Sequence, residues 1–210
     1  MPRTRRIFVL FTGFALVCGS LGLHGQSKRG SEEERRTARV QGAYLTHLVK
    51  FTRWEERHLP AGDAAPKIVL VGEESDGFVE SLQFLVRQSG LKIEGRDVEL
   101  HHFGKGRETE AREMIGQGCQ LVYVLPSSSF TPREISELTK QAVIFGESRE
   151  FVTEKGGDVS FVSTRNRVKL VVSEKYFRRT SPKLSSKLVN LKSVVEIIPV
   201  TPGSSAAQPE

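Results

Sequence analysis

Ile68, Val69, Leu70 and Val71 form an uninterrupted aliphatic run that stops at Gly72. A strand without polar alternation has no face to give to water, so both faces must be covered, as in a parallel sheet layered between helices. Gly72 allows a sharp turn at the strand's carboxyl end, and Glu73 to Phe78 leads into a helix. Open α/β sheets place ligands in crevices at such ends. The expectation is a strand near the middle of a sheet, with the first candidate site just beyond it.

The flanking chain repeats the alternation. Ser31 and Glu34 have capping-box spacing and predict a helix running to about Arg53, with Val40, Tyr44, Leu48 and Phe51 as its apolar stripe. Asp76 is the expected cap of a second helix, carrying Phe78, Leu82 and Leu85 and ending at Gly90. A half-buried strand from Arg96 to Phe103, a helix from Glu108 to Gln117 and a buried strand from Gln120 to Leu125 follow. Thr131 and Glu134 cap the next helix, and Ala142 to Phe145 is a further strand. This order predicts a three-layer, mostly parallel, Rossmann-like sheet of about six strands flanked by helices. Val159 to Ser163 and Arg167 to Val172, joined by Thr164-Arg165-Asn166, should pair as an antiparallel hairpin. Leu184, Leu188 and Leu191 predict a C-terminal helix, so the α/β domain spans 31–198. Residues 199–210 read as a disordered tail rich in Pro, Ser and Ala.

Residues 1–25 read as a secretory signal, with Arg3, Arg5 and Arg6 ahead of IFVLFTGFALV, and cleavage is expected after Ser20 or Gly25. A retained anchor is one alternative. A lipoprotein acylated at Cys18 is another, weakened by Val17 where a small residue is wanted. Losing residues 1–25 removes three arginines and no acid, so the formal charge falls from +6 to +3. That weak basicity, with Lys and Arg spread through the chain, argues against nucleic acid as a partner. Cys119 would be the single remaining cysteine, excluding an internal disulfide, and reads as a buried, inert thiol.

No set of residues for catalysis, metal binding or cofactor binding emerges. GEESDGF has the glycine spacing of a P-loop, but Phe78 replaces the phosphate-holding lysine and Glu73, Glu74 and Asp76 would repel phosphate. Gly72 and Gly77 do not complete a dinucleotide fingerprint. His101 and His102 are adjacent on a strand and point to opposite faces, so they cannot grip one metal. Gly146-Glu147-Ser148 begins like a nucleophile elbow, but Glu150 stands where the closing glycine belongs.

Two stretches are more specific. Gln41 to Trp54, with Tyr44, Leu45, Lys50, Phe51 and Trp54, resembles the first helix of the YfiR family of bacterial periplasmic proteins. Phe151, Gly156 and Gly157 approximate that family's F-x-x-x-G-G segment with one residue more in the spacing, and Arg167, Val168, Leu170 and Leu184 to Val189 approximate its later strand and helix. Ser173 stands where the family often has asparagine, and the cysteine pair of some members is absent. The resemblance implies an exported, non-enzymatic α/β protein without a cofactor. It further implies a partner, a membrane-bound diguanylate cyclase held in check through its periplasmic region, coupling envelope conditions to cyclic-di-GMP and biofilm formation.

A parallel sheet ending in an antiparallel hairpin leaves an edge strand that something must cover, either a partner or a second copy in a homodimer. Val159, Phe161, Val171, Phe177 and Asn190 are therefore the candidate partner-binding residues. The alternative function is a periplasmic small-ligand sensor or solute-binding domain, using the crevice after Gly72 and the loop Pro126 to Phe130.

Overall fold

The computed structural model describes residues 24–74, 77–164, 167–190 and 193–199. Most of the expected signal segment, Cys18, the Asp76 cap, Asn166, Leu191 and all but the first residue of the expected tail lie outside them. In chain order the elements are α1 (His24–Lys50), β1 (Thr52–Arg53), a 3-10 turn (Glu56–His58), β2 (Lys67–Val71) and α2 (Phe78–Ser89). Then come β3 (Lys92–Ile93), β4 (Arg96–Asp97), β5 (Glu99–Phe103), α3 (Glu108–Gly116), β6 (Leu121–Val124) and α4 (Pro132–Leu138). The last part is β7 (Val143–Glu147), α5 (Glu150–Thr153), β8 (Val159–Thr164), β9 (Arg167–Ser173), α6 (Glu174–Phe177), β10 (Lys183–Leu184), α7 (Ser186–Val189) and β11 (Val195–Ile198).

A seven-stranded sheet in the order β11-β9-β8-β7-β6-β2-β5 organises the molecule. Strands β5, β2, β6, β7 and β8 are parallel, β9 runs antiparallel to β8, and β11 lies parallel to β9. Alternation along the strands splits the core into two halves. Ile68, Leu70, Leu121, Tyr123, Phe145 and Phe161 face α1 and α2, whereas Val69, Val71, Val122, Val124 and Ile144 face α3, α4 and α5. Both sides of the aliphatic run are thus covered, with Ile68 to Val71 fully buried.

The mostly parallel, helix-flanked sheet with a terminal hairpin is the expected fold class, carried on seven strands. Several details differ from expectation. β2 is second from the edge because the chain adds β6, β7, β8, β9 and β11 on one side and only β5 on the other. α1 begins at His24, so Ser31 lies within the helix and not at its start. Of the expected stripe, Leu48 is buried and Tyr44 and Phe51 are half-buried, but Val40 is 38% exposed, and the helix buries Ala38, Leu45 and Val49 besides. The expected C-terminal helix shrinks to the single turn Ser186–Val189, because Leu184 is in β10 and pairs with Thr52 of β1. The edge expected at β9 is closed by β11, which pairs Val195 with Leu170 and Ile198 with Ser173.

Candidate functional site

Loops after β2 and β6 leave in opposite directions along the sheet, toward β5 and β7, so a crevice opens between their carboxyl ends. Gly72, Glu73, Phe103, Gly104, Lys105, Glu108 and the serines Ser127 to Ser129 line it, enclosing about 390 Å³. Gly72 has φ of 116°, and a Cβ there would stand 3.0 Å from both Leu125 Cβ and the Ser128 nitrogen, so the close approach of the two loops needs glycine. The Glu73 N–H donates to Ser127 Oγ at 2.7 Å, and that hydroxyl donates back to the Glu73 carbonyl at 2.9 Å. Glu73 Oε1 accepts the Lys105 N–H. Glu74 Oε1 accepts the Val79 N–H at 2.5 Å at the start of α2. The two acids therefore tie loops and helix together. Glu108 is held below the usual carboxylate range by its own backbone N–H and that of Gly106, so it stays ionised at neutral pH.

Phe78, the residue in the place of a phosphate-holding lysine, is buried and stacks on Tyr123 at 4.6 Å. Tyr123 continues the aromatic row to Phe145, 5.3 Å away, and its hydroxyl donates to Glu147 Oε1 at 3.0 Å. Phe78, Tyr123 and Phe145 thus form a packed aromatic row in the α1–α2 half of the core. Ser148 has φ of 72° between β7 and α5, the strained strand-to-helix position that a nucleophile elbow uses. Its hydroxyl instead bonds the Glu150 carboxylate and helps hold it below its ordinary range, after that residue's own backbone N–H. His102 bonds the Gly72 carbonyl at 2.8 Å and His101 bonds Glu99 at 3.3 Å, so the adjacent histidines serve separate partners. Burial pushes the Cys119 thiol up to about 12, which makes it the inert thiol expected.

The candidate partner residues do not form one exposed surface. Val159, Phe161 and Val171 are 0%, 1% and 1% exposed, because β9 is covered by β11 at its edge and both faces of the hairpin are packed. Val171 faces the α5 side, and Val159 and Phe161 face the α1 side. Only Phe177, half-buried on α6, and Asn190, exposed after α7, are reached from outside.

The aromatic residues of the first helix pack as a core element. Tyr44 and Phe51 are half-buried against the α1-side core, and Trp54 is 5% exposed. The Trp54 N–H of the backbone donates to Glu94 at 3.2 Å, which fixes the end of α1 to the β3–β4 hairpin. Phe151 explains both glycines around it: a Cβ on Gly157 would lie 2.2 Å from its ring and one on Gly146 2.5 Å. The Phe151 ring is therefore clamped flat against bare backbone on two strand ends.

One polar cluster escaped the sequence reading. Asp158, 2% exposed, accepts the Ile144 N–H at 3.0 Å and two bonds from Arg179 at 3.0 and 2.8 Å. Arg179 lies over the Tyr176 ring, and Tyr176 shares a hydrogen bond of 3.2 Å with Thr52. Burial raises the Asp158 carboxyl above its ordinary range, with Arg179 and the Ile144 N–H opposing. A lone acid in GGD beside a distant RRT gives no local signal for this pairing across 21 residues.

Residues 38–192 match a family model described as YfiR/HmsC-like, from the packed half of α1 to just past α7. No curated protein matches the chain.

Proposed function

The chain belongs to the YfiR/HmsC-like family, and from that membership we propose that it is an exported, non-catalytic regulator. It binds the periplasmic region of a membrane-bound diguanylate cyclase and holds the enzyme in a low-activity state, linking envelope conditions to cyclic-di-GMP. The observation that carries this reading is the extent of the family match, which runs through the packed half of the first helix, the parallel strands β5, β2, β6, β7 and β8 and the hairpin, and stops short of β11. The Phe151–Gly146–Gly157 clamp supports it, since it gives the family's F-x-x-x-G-G segment a packing role rather than a catalytic one. Phe177 and Asn190 on the outer side of residues 174–190 are the proposed contact positions, with Val159, Phe161 and Val171 as the packed base beneath them.

Deleting the gene should raise cellular cyclic-di-GMP, and restoring the intact chain should lower it again. Unchanged or lowered cyclic-di-GMP in the deletion strain contradicts the reading. The second reading, a small-ligand sensor, rests on the crevice that unites Gly72, Glu73, Lys105 and Ser127 to Ser129. It predicts saturable thermal stabilisation by a small polar molecule without a membrane partner.

A further inference from the structure

Basic residues are not spread evenly along the chain, contrary to the expectation from overall composition. Residues 159–195 hold nine Lys and Arg against one acid, Glu174, whereas residues 26–158 hold 19 against 22. Within the basic stretch, Arg178 pairs with Glu174 at 2.5 Å and Arg179 pairs with Asp158 at 2.8 Å. Lys175 on α6, Lys183 on β10 and Lys187 on α7 are exposed, and no ion pair joins them to an acid among the described residues. These three elements follow one another in the strap 174–190, whose inward residues Tyr176, Leu184 and Leu188 are buried in the α1-side core. The ammonium groups thus stand on its outer side, at the β9–β11 end of the sheet. At the other end the charges nearly balance, with Glu99 on the edge strand β5 and Glu108, Glu110 and Glu113 on α3 interleaved with Lys105, Arg107 and Arg112, and Arg107 paired with Glu110 at 2.6 Å. The excess of positive charge therefore lies in the stretch that builds the β9 end and the strap.

We propose that the lysine-bearing strap docks on the surface of an anionic phospholipid bilayer. Among the described residues of the strap the free cations are lysines, compact point charges that suit a diffuse field of phosphates, while Arg178 and Arg179, of the type suited to bidentate carboxylate recognition, are already paired with Glu174 and Asp158 of the same chain. The three lysines sit on three separate short elements, α6, β10 and α7. Such attraction acts over about 10 Å at 0.1 M salt and weakens as salt rises. Docking in this way would place Phe177 and Asn190 at the membrane surface, and it does not depend on the identity of any protein partner.

The test is co-sedimentation of the exported, processed protein with vesicles of phosphatidylglycerol and phosphatidylcholine, and with vesicles of phosphatidylcholine alone. Binding is expected on the anionic vesicles only, falling steeply as NaCl rises from about 0.05 to 0.3 M. The combined Lys175→Gln, Lys183→Gln and Lys187→Gln variant should lower partitioning about 100-fold, at about fivefold per lysine. The combined Arg87→Gln, Lys92→Gln and Lys140→Gln variant, with the same net charge, should lower it far less. If the triple strap variant fails to melt cooperatively, Lys187→Gln alone should still show the fivefold loss. Absence of binding to anionic vesicles, equal binding to neutral ones, or an unaffected strap variant overturns the proposal. So does retention on immobilised polyglutamate without vesicle binding, which would assign the strap to an acidic protein segment.

Discussion

At the scale of single residues, the tightest constraint is the clamp on Phe151. A methyl group on Gly157 would meet the ring at 2.2 Å and the Phe151 carbonyl oxygen at 2.9 Å, so neither the side chain nor the backbone can simply step aside. Gly157→Ala should cost about 2–3 kcal/mol in denaturant melts through overpacking, and Phe151→Leu should relieve part of that cost in the double variant. Additive losses would show that the ring and the glycine do not share the site. Arg179 tests the buried acid. Arg179→Ala should cost about 3 kcal/mol at pH 7 by leaving the Asp158 carboxylate unpaired, the lower end of the usual range because the Arg179 side chain is 25% exposed. Burial already raises the Asp158 carboxyl in the folded protein. Stability from such a group is present below the unfolded value and is lost as pH rises through the folded one. The cost of Arg179→Ala should therefore shrink as pH is lowered from 7 toward the ordinary carboxylate range, and a cost that grows on acidification contradicts this assignment.

At the scale of elements, the end of the chain decides whether the sheet is closed. β11 pairs in parallel with β9, and Arg149 ahead of α5 holds Glu196 at 2.6 Å. A chain ending at Ser193 should melt at lower denaturant and associate more than the full chain, because β9 then presents an open edge. An unchanged midpoint and unchanged sedimentation would show that β11 is dispensable. The main-sheet strands and the helices between β2 and Glu147 were legible because each βα unit carries its own signals: the aliphatic runs, the capping box at Thr131 and Glu134, and Gly90 at the end of α2. The short β1, β3 and β4 were not: Thr52 and Arg53 were expected in the first helix, and the strand expected from Arg96 to Phe103 divides into β4, paired with β3, and β5 in the main sheet. In the last quarter only the β8–β9 hairpin was legible. Leu184 and Leu188 have helical spacing, yet Leu184 is drawn into β10 by β1, a partner 132 residues earlier. The β-branched run Val194-Val195-Glu196-Ile197-Ile198 was the available signal for β11, and it went unread in favour of a helix followed by a tail. The same omission made Val159, Phe161 and Val171 look like surface, when the missing strand and the packed faces put them in the core.

At the scale of the whole molecule, the sheet divides the labour between its ends. The β5 end carries the crevice, with its acids nearly balanced by cations, while the other end carries the strap with its excess of lysine and arginine. The proposed regulator would work through the strap end, where Phe177 and Asn190 stand beside exposed lysines. Family membership was legible in the sequence from Tyr44, Phe51, Trp54, Phe151 and Gly157, although these residues turn out to build the fold more than any contact surface. Partner choice was not legible, because a contact surface depends on which side chains the closed sheet leaves outside. The most direct test of the central claim is capture from gently solubilised membranes with the tagged, exported protein, the recovered proteins being identified by mass spectrometry. The account predicts a membrane protein with a diguanylate cyclase output domain, lost from the capture when Phe177 and Asn190 are replaced in a variant that still melts cooperatively. Recovery without any such cyclase, or undiminished recovery by that variant, would contradict it.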